Sequence, residues 1–261
     1  MRSSYKKNNH ISLPSNHENI LNIATNFILD EISNKKSRYA RAKELESSIL
    51  FVSPVEIIFD ERNPTETFQY VPILNTLKSL FSQNEFKTLY FDFNNGDNQH
   101  RCMKGIYSNY CCASNYNNNS LFQQQHNAIQ IQLFIDEFEV CSALKSRTLK
   151  HKQCAVYFII RNIPAYLLSK LSNIYLVILC NSNYLKKYGI NNLLKPLVED
   201  LKILEIDGIT INNVTLKGTL IQVSFDNLGG NSFFGFVESF NSLYYCRICC
   251  CNKQECQKKY S

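Results

Sequence analysis

The stretch "TLIQVSFDNLGG" (219–230) runs through Leu220, Ile221, Val223 and Phe225 to Asp226, and then to two glycines. Its alternation reads as a strand with Gln222, Ser224 and Asp226 on one face. An earlier stretch, "AIQIQLFIDEFEV" (128–140), has the same form. There Ile129, Ile131, Leu133 and Ile135 alternate with Gln130, Gln132, Phe134 and Asp136, and Glu137 follows. Two strands that each end in an acid either share a site or both turn out into solvent. The elements between them discriminate.

Two of those elements, "QCAVYFIIR" (153–161) and "NIYLVILCN" (173–181), are apolar runs suited to strands covered on both faces. Next, Leu193, Leu194, Leu197, Val198, Leu201 and Leu204 recur at helical spacing, ending before Gly208. Pro196 lies inside that stripe, so either its first turn is kinked or the regular helix starts there. A short hairpin is expected at 209–218, and "NSFFGFVESF" (231–240) reads as a helix capped by Asn231 or Ser232. Three strands, a crossover helix, a fourth strand and a helix is the order of the ribonuclease H-like fold. In that fold the first and fourth strands lie side by side, each with an acid at the metal end. The predicted class is therefore α/β, with a ribonuclease H-like mixed sheet over residues ~128–240. Asp136 and Asp226, ninety residues apart, would meet there and hold Mg²⁺, a hard cation that takes carboxylate oxygens. Gly229 and Gly230 would let the backbone turn close to a phosphate.

Upstream, residues 1–14 read as a basic lead, and Ser15 with Glu18 forms a capping box for an amphipathic helix through Ile32. The basic stretch "NKKSRYARAKE" (34–44) reads as a solvated helix face. "FVSPVEIIF" (51–59) reads as a short strand, and a helix begins near Val71 with Pro72 in its first turn. The expected organisation is a mostly helical region (1–91), an Asn/Gln-rich linker (92–127), the sheet core (128–245) and a Cys-rich element (246–261).

With 44% hydrophobic and 19% charged residues over 261 positions, the chain is globular in composition and not disordered. A net charge of +6 permits an acidic partner such as DNA. The N-terminus lacks the apolar core of a signal peptide, and the longest apolar run (174–180) is far too short to cross a bilayer. An intracellular protein without membrane attachment is expected, and no motif points to a small-molecule substrate. Eleven cysteines without a secretory signal then favour reduced thiols or metal ligands over disulfides. Cys141, Cys154 and Cys180 read as core residues.

Several blocks also resemble the transposase-like open reading frames of animal genomes. They are "IQLFIDEFEVCSALKS", "NIYLVILCNSNYLKKYGINNLLKPLVEDLKILEIDGI", "SFDNLGGNSFFGFVESF" and "YYCRIC", with "FVSPVEIIF" and "FQYVPILNTLKSLF" upstream. The resemblance covers roughly residues 50–261 and keeps the block order. It implies a DDE/D transposase: a ribonuclease H-like core that uses three acids and Mg²⁺ to cut DNA and join strand ends, in the nucleus. Asp136 would be the first acid and Asp226 the second. Two features depart from the family pattern. Phe225 stands where Gly or a polar residue is usual, and the helix that would carry the third acid is expected beyond Ser261. Within the chain, Glu238, Glu255, Glu199 or Asp200 would have to substitute, and a missing third ligand is the preferred reading.

Lys145, Arg147, Lys150 and Lys152, in the loop after the first acidic strand, are placed to meet DNA phosphates or to be solvated. Cys246 and Cys249 have the spacing of half a zinc site. The expected function is a transposase-derived protein with a partial Mg²⁺-dependent strand-transfer domain. The alternative is a non-catalytic nucleic-acid or protein-binding remnant with a metal-binding Cys-rich tail. Because Zn²⁺ takes four ligands and a second pair at longer spacing is absent, purified protein should carry well under one zinc per chain by elemental analysis. Stoichiometric zinc that is lost in Cys246→Ser would instead establish a complete local site.

Overall fold

A computed structural model describes residues 51–95, 110–139, 152–239, 241–244, 246 and 251–259. The expected helix at 15–32, the basic stretch 34–44, the loop residues Lys145, Arg147 and Lys150, and Cys141 and Cys249 lie outside them.

The described chain begins with a hairpin, β1 (Val55–Ile58) and β2 (Thr67–Tyr70), followed by helices α1 (Ile73–Ser82) and α2 (Asn84–Asn95). Short helices α3 (Ser114–Asn118) and α4 (Ser120–Gln124) precede the long strand β3 (Ile129–Glu139). Then come β4 (Lys152–Ile160), α5 (Ala165–Leu168), β5 (Tyr175–Asn181), α6 (Ser182–Tyr188) and α7 (Ile190–Ile206). A two-stranded hairpin, β6 (Ile209–Ile211) and β7 (Val214–Leu216), leads into β8 (Gly218–Ser224). Helices α8 (Asn227–Phe233) and α9 (Lys253–Lys259) follow. These elements belong to one compact unit, Val52–Ser261, which takes in the strands and helices upstream of the 92–127 stretch.

Six strands form a mixed sheet in the order β1-β2-β5-β4-β3-β8. The four strands expected from the sequence occupy consecutive places in it, and β3 and β8 are neighbours, running parallel. The other pairings are antiparallel. A parallel pair cannot be closed by a tight turn, so the chain must cross over. Between β5 and β8, helices α6 and α7 and the β6–β7 hairpin make that crossing.

One face of the sheet packs on α1 and α7. Ile129, Ile131 and Leu133 of β3 and Val156, Phe158 and Ile160 of β4 meet Ile73, Leu77 and Phe81 of α1 and Leu193, Leu197 and Leu204 of α7 in one buried cluster. Each such side chain contributes about 1.5–3 kcal/mol when fully buried. The i, i+4 and i, i+3 spacing of the α7 leucines is what turns them onto one face. That helix begins at Ile190 and not at Pro196, which it carries inside. Gly189, at φ +80, sets the sharp entry. At the β6–β7 hairpin, Asn212 and Asn213 both take positive φ, the conformation a two-residue turn between antiparallel strands demands.

Two expected elements are corrected. The helix read at 231–240 lies instead at Asn227–Phe233, and its cap is Asp226, so Gly229 and Gly230 are helical and do not form a turn. Asp is as good an N-cap as Asn or Ser, and it comes first along the chain. The fourth strand correspondingly ends at Ser224 and not at Asp226. Strand β2 and helix α2 were not anticipated. Four residues show too little alternation, and β2 is set by its two neighbours, with Phe68 facing both Ile57 and Cys180.

A buried polar network ties α2 to the sheet. Asn162 Nδ2 donates to Tyr90 Oη at 2.7 Å and to Ala128 O at 3.0 Å, and Asn162 Oδ1 accepts from Gln130 N at 3.0 Å. Tyr90 Oη donates to Asn127 O at 2.9 Å, and Asn94 Nδ2 donates to Asn162 O at 3.0 Å. Burial, eased by the Asn162 hydrogen bond, pushes the Tyr90 phenol well above its ordinary range. Asn162→Ala strands several of these partners at once. It should destabilise the protein by about 3 kcal/mol in urea unfolding, since each orphaned buried polar group costs roughly 1–3 kcal/mol.

Candidate functional site

Strand β3 runs beyond its last partner in β8. The parallel register ends at Phe134 opposite Ser224, so Asp136 and Asp226 lie two residues further on in each chain segment. Both aspartates line one cleft of about 700 Å³, together with Glu137, Glu238, Lys152 and Lys186. The cleft is built from the ends of elements: β3 and β8 finish there, β4 starts there, and Gly189 and Ile190 bring the start of α7 to its wall.

Asp226 is held by its own helix. Its Oδ1 accepts from Gly229 N at 2.5 Å, and its carbonyl accepts from Gly230 N at 2.9 Å. A β-carbon at Gly229 would stand 2.8 Å from Asp226 Oδ1, so only glycine lets the carboxylate settle this closely over the backbone. Phe225 anchors the turn from the other side. Its ring lies 5.3 Å from those of Phe233 and Phe234, both on or beside α8. This bulky residue thus clamps the strand-to-helix joint that presents Asp226.

Glu137, one residue beyond Asp136, is paired with Lys152 across the strands, Oε2 to Nζ 2.5 Å. Burial alone would raise the Glu137 carboxyl, but Lys152, with Ser182 and the Lys186 charge, outweighs it and holds the group below the usual carboxylate range. Ser182 is close enough to contribute, although its buried hydroxyl forms no hydrogen bond of good geometry. The same pairing, with the charges of Asp226 and Glu139, raises Lys152 above the ordinary lysine range. Lys152 is therefore engaged with a carboxylate inside the cleft. Cys154, opposite Glu137 in the sheet, is buried, and burial pushes its thiol up to about 12. Cys180 is likewise buried and pushed up to about 12. Both behave as core residues, as expected from the sequence.

The four alternative acids separate cleanly. Glu238 lines the cleft. Asp200 accepts the hydroxyl of Tyr70 at 2.6 Å, and with Glu199 it sits nine to ten residues along α7 from Ile190, about 15 Å at 1.5 Å per residue. Glu255 closes a capping box with Asn252: Asn252 N to Glu255 Oε2 and Glu255 N to Asn252 Oδ1 are both 2.9 Å. Among the described residues, no three of His, Cys, Asp and Glu converge as a metal-binding group. Cys246 is half-buried. The sequence reading missed Lys186, which the basic last turn of α6 carries into the cleft.

No protein-family model matches the chain, and the curated proteins contain no match to its sequence. Among the described residues, no helix is long and apolar enough to cross a membrane.

Asp226 has two separable properties, a capping oxygen and a charge. Asp226→Asn keeps the cap and should leave the melting midpoint nearly unchanged. Asp226→Ala should lose about 1 kcal/mol, and Gly229→Ala should lose a similar amount by displacing the carboxylate. Thermal and urea unfolding of the three variants checks this.

Proposed function

We propose that this chain is a transposase-derived protein whose ribonuclease H-like core carries a carboxylate cleft for Mg²⁺-dependent phosphodiester chemistry on DNA. The observation that carries the reading is that Asp136 and Asp226, ninety residues apart, line one cleft, each two residues past the last paired residues of the parallel neighbours β3 and β8. The strand order β5-β4-β3-β8 supports it, with antiparallel pairing throughout except between β3 and β8. A nuclear location follows from the same reading.

The donor set suits a hard divalent cation in kind, because Asp136, Asp226 and Glu238 all offer oxygen. Asp136 and Asp226 would hold the ion. Such an ion supplies Lewis-acid charge to the oxygens of a scissile phosphodiester. The chain's own residues do the rest. Lys186 would meet a phosphate at the cleft wall, and Phe225 and Gly229 keep the Asp226 carboxylate in place. Because no third carboxylate converges with the first two among the described residues, the cation is held weakly and strand transfer fails in this polypeptide. A lost charge-stabilising contact costs roughly 2.7–4 kcal/mol, at least a hundredfold in rate.

A second reading, a non-catalytic nucleic-acid-binding remnant, is favoured by one observation: Asp226 caps α8, so this acid has structural work without any metal. Purified protein should retard labelled DNA weakly, with affinity falling as salt rises, and give no cleavage or joining with Mg²⁺ or Mn²⁺. Cleavage that disappears in both Asp136→Asn and Asp226→Asn would show a complete catalytic set, with Glu238→Gln identifying its third member. Absence of DNA binding at low salt would sink both nucleic-acid readings.

A further inference from the structure

Strand β8 stands last in the sheet, and among the described residues only β3 pairs with it. Lys217 O accepts from Ile129 N and Gln130 O from Arg161 N, both at 2.8 Å, so Ile129, Ile131 and Leu133 bond toward β8. Gly218, Leu220 and Val223 lie opposite those three residues. In a parallel ladder a residue bonds to the neighbours of its opposite number, so these turn their own N–H and C=O groups outward. Among the described residues, nothing accepts or donates to the outward groups of Leu220 and Val223. The two edges of the sheet differ in protection. At the other end, β1 has four residues, carries Glu56 and follows Pro54, all of which discourage further pairing. β8 has seven residues with neither charge nor proline, and its Leu220 is 36% exposed. An edge of this composition recruits a strand.

We infer that this edge joins two copies of the chain through an antiparallel β8–β8 pair, making one continuous sheet. The register of β8 is complementary to itself. Leu220 faces Ile131 but Gln222 faces Gln132, so Ile221 is an extra residue, a bulge. Leu220 and Val223 therefore share the α7 face of the sheet, while Ile221 and Gln222 turn to the other. A two-fold axis between Ile221 and Gln222 sets Leu220 against the partner's Val223 and Ile221 against the partner's Gln222. Each pair lies on one face, and the outward groups of Leu220 meet those of the partner's Val223. Without the extra residue, the same register would oppose side chains from different faces. Charge fixes the direction. Lys217 precedes β8 and Asp226 follows it, so antiparallel pairing brings each Lys217 to the partner's Asp226, whereas parallel pairing would align like charges. The contact is isologous and closes at two, leaving the sheet only its protected β1 edges. This inference is independent of any metal or DNA chemistry in the cleft.

The test combines sedimentation of the full chain at micromolar concentrations with carbodiimide coupling of amines to carboxylates. Wild type should form a concentration-dependent dimer, and peptide mass spectrometry should find Lys217 joined to Asp226 in the dimer band. Within one chain these residues stand at opposite ends of β8, about 30 Å apart at 3.3 Å per residue, so a direct amide between them reports two copies. Leu220→Lys sets an ammonium against the apolar strand of the partner and should weaken the dimer about tenfold or more. Should Leu220→Lys not fold, the wild-type cross-link decides alone. A wild type that stays monomeric at every concentration would overturn the inference and leave the edge to a strand of another protein. A dimer that lacks the Lys217–Asp226 cross-link and persists in Leu220→Lys would overturn it as well, placing the contact elsewhere.

Discussion

The parallel pairing of β3 with β8 is the constraint on which the rest of this structure depends, because two parallel neighbours can be joined only by chain that travels back along the sheet. Helices α6 and α7 and the β6–β7 hairpin do that travelling, and α7 covers the sheet with Leu193, Leu197 and Leu204 as it goes. Close packing at the start of β8 shows how tightly the pair is made. A β-carbon on Gly218 would lie 2.8 Å from the β-carbon of Ile129 and 3.1 Å from Leu204. The strands can therefore meet the helix only where the side chain is missing. Parallel direction also means that both strands finish at the same end of the sheet, which is why two acids distant in sequence line one cleft.

The cleft is economical in its residues, since the groups that give it charge also hold it in shape. Asp226 stops β8 and starts α8 by capping, and Phe225 fixes the joint against Phe233. Glu137 and Lys152 tie the last residues of β3 to the first of β4, where the strand pair would otherwise fray. Partial burial makes this pair worth more than an exposed surface ion pair, whose contribution is about 0–1 kcal/mol. The exposure that remains keeps it from becoming a permanent part of the core.

At the opposite side of the sheet, β1 and β2 extend the surface that β5 would otherwise leave as an edge. Unpaired edges invite association with other chains, and pairing β2 to β5 removes one of them from the core strands. The outer side of this extension is secured by aromatic and ionic contacts. Phe59 stacks on Tyr188 at 4.7 Å, and Lys187 meets Glu66 at 2.5 Å. The loop between β1 and β2 and the end of α6 are thereby fastened together.

By itself, the sequence determined those features that depend on local periodicity. Alternation marked β3 and β8, continuous apolar runs marked β4 and β5, and leucine spacing marked α7, so the order of elements was legible, and with it the cleft that Asp136 and Asp226 both line. Tertiary structure decided what periodicity cannot encode. Strand β2 is only four residues long and exists because β1 and β5 bond it from both sides. The start of α8 turned on which polar residue capped first, and a sequence rich in Asp, Asn, Ser and Gly offers several equivalent caps until packing of Phe225 on Phe233 and Phe234 selects one. The acids were all visible as letters, but their roles were not. Glu238, Asp200 and Glu255 differ only in where the chain carries them: one into the cleft, one onto a tyrosine hydroxyl, one into a capping box. The physical reason is that a carboxylate's function is set by its neighbours in space, and those come from long-range contacts that no local pattern specifies.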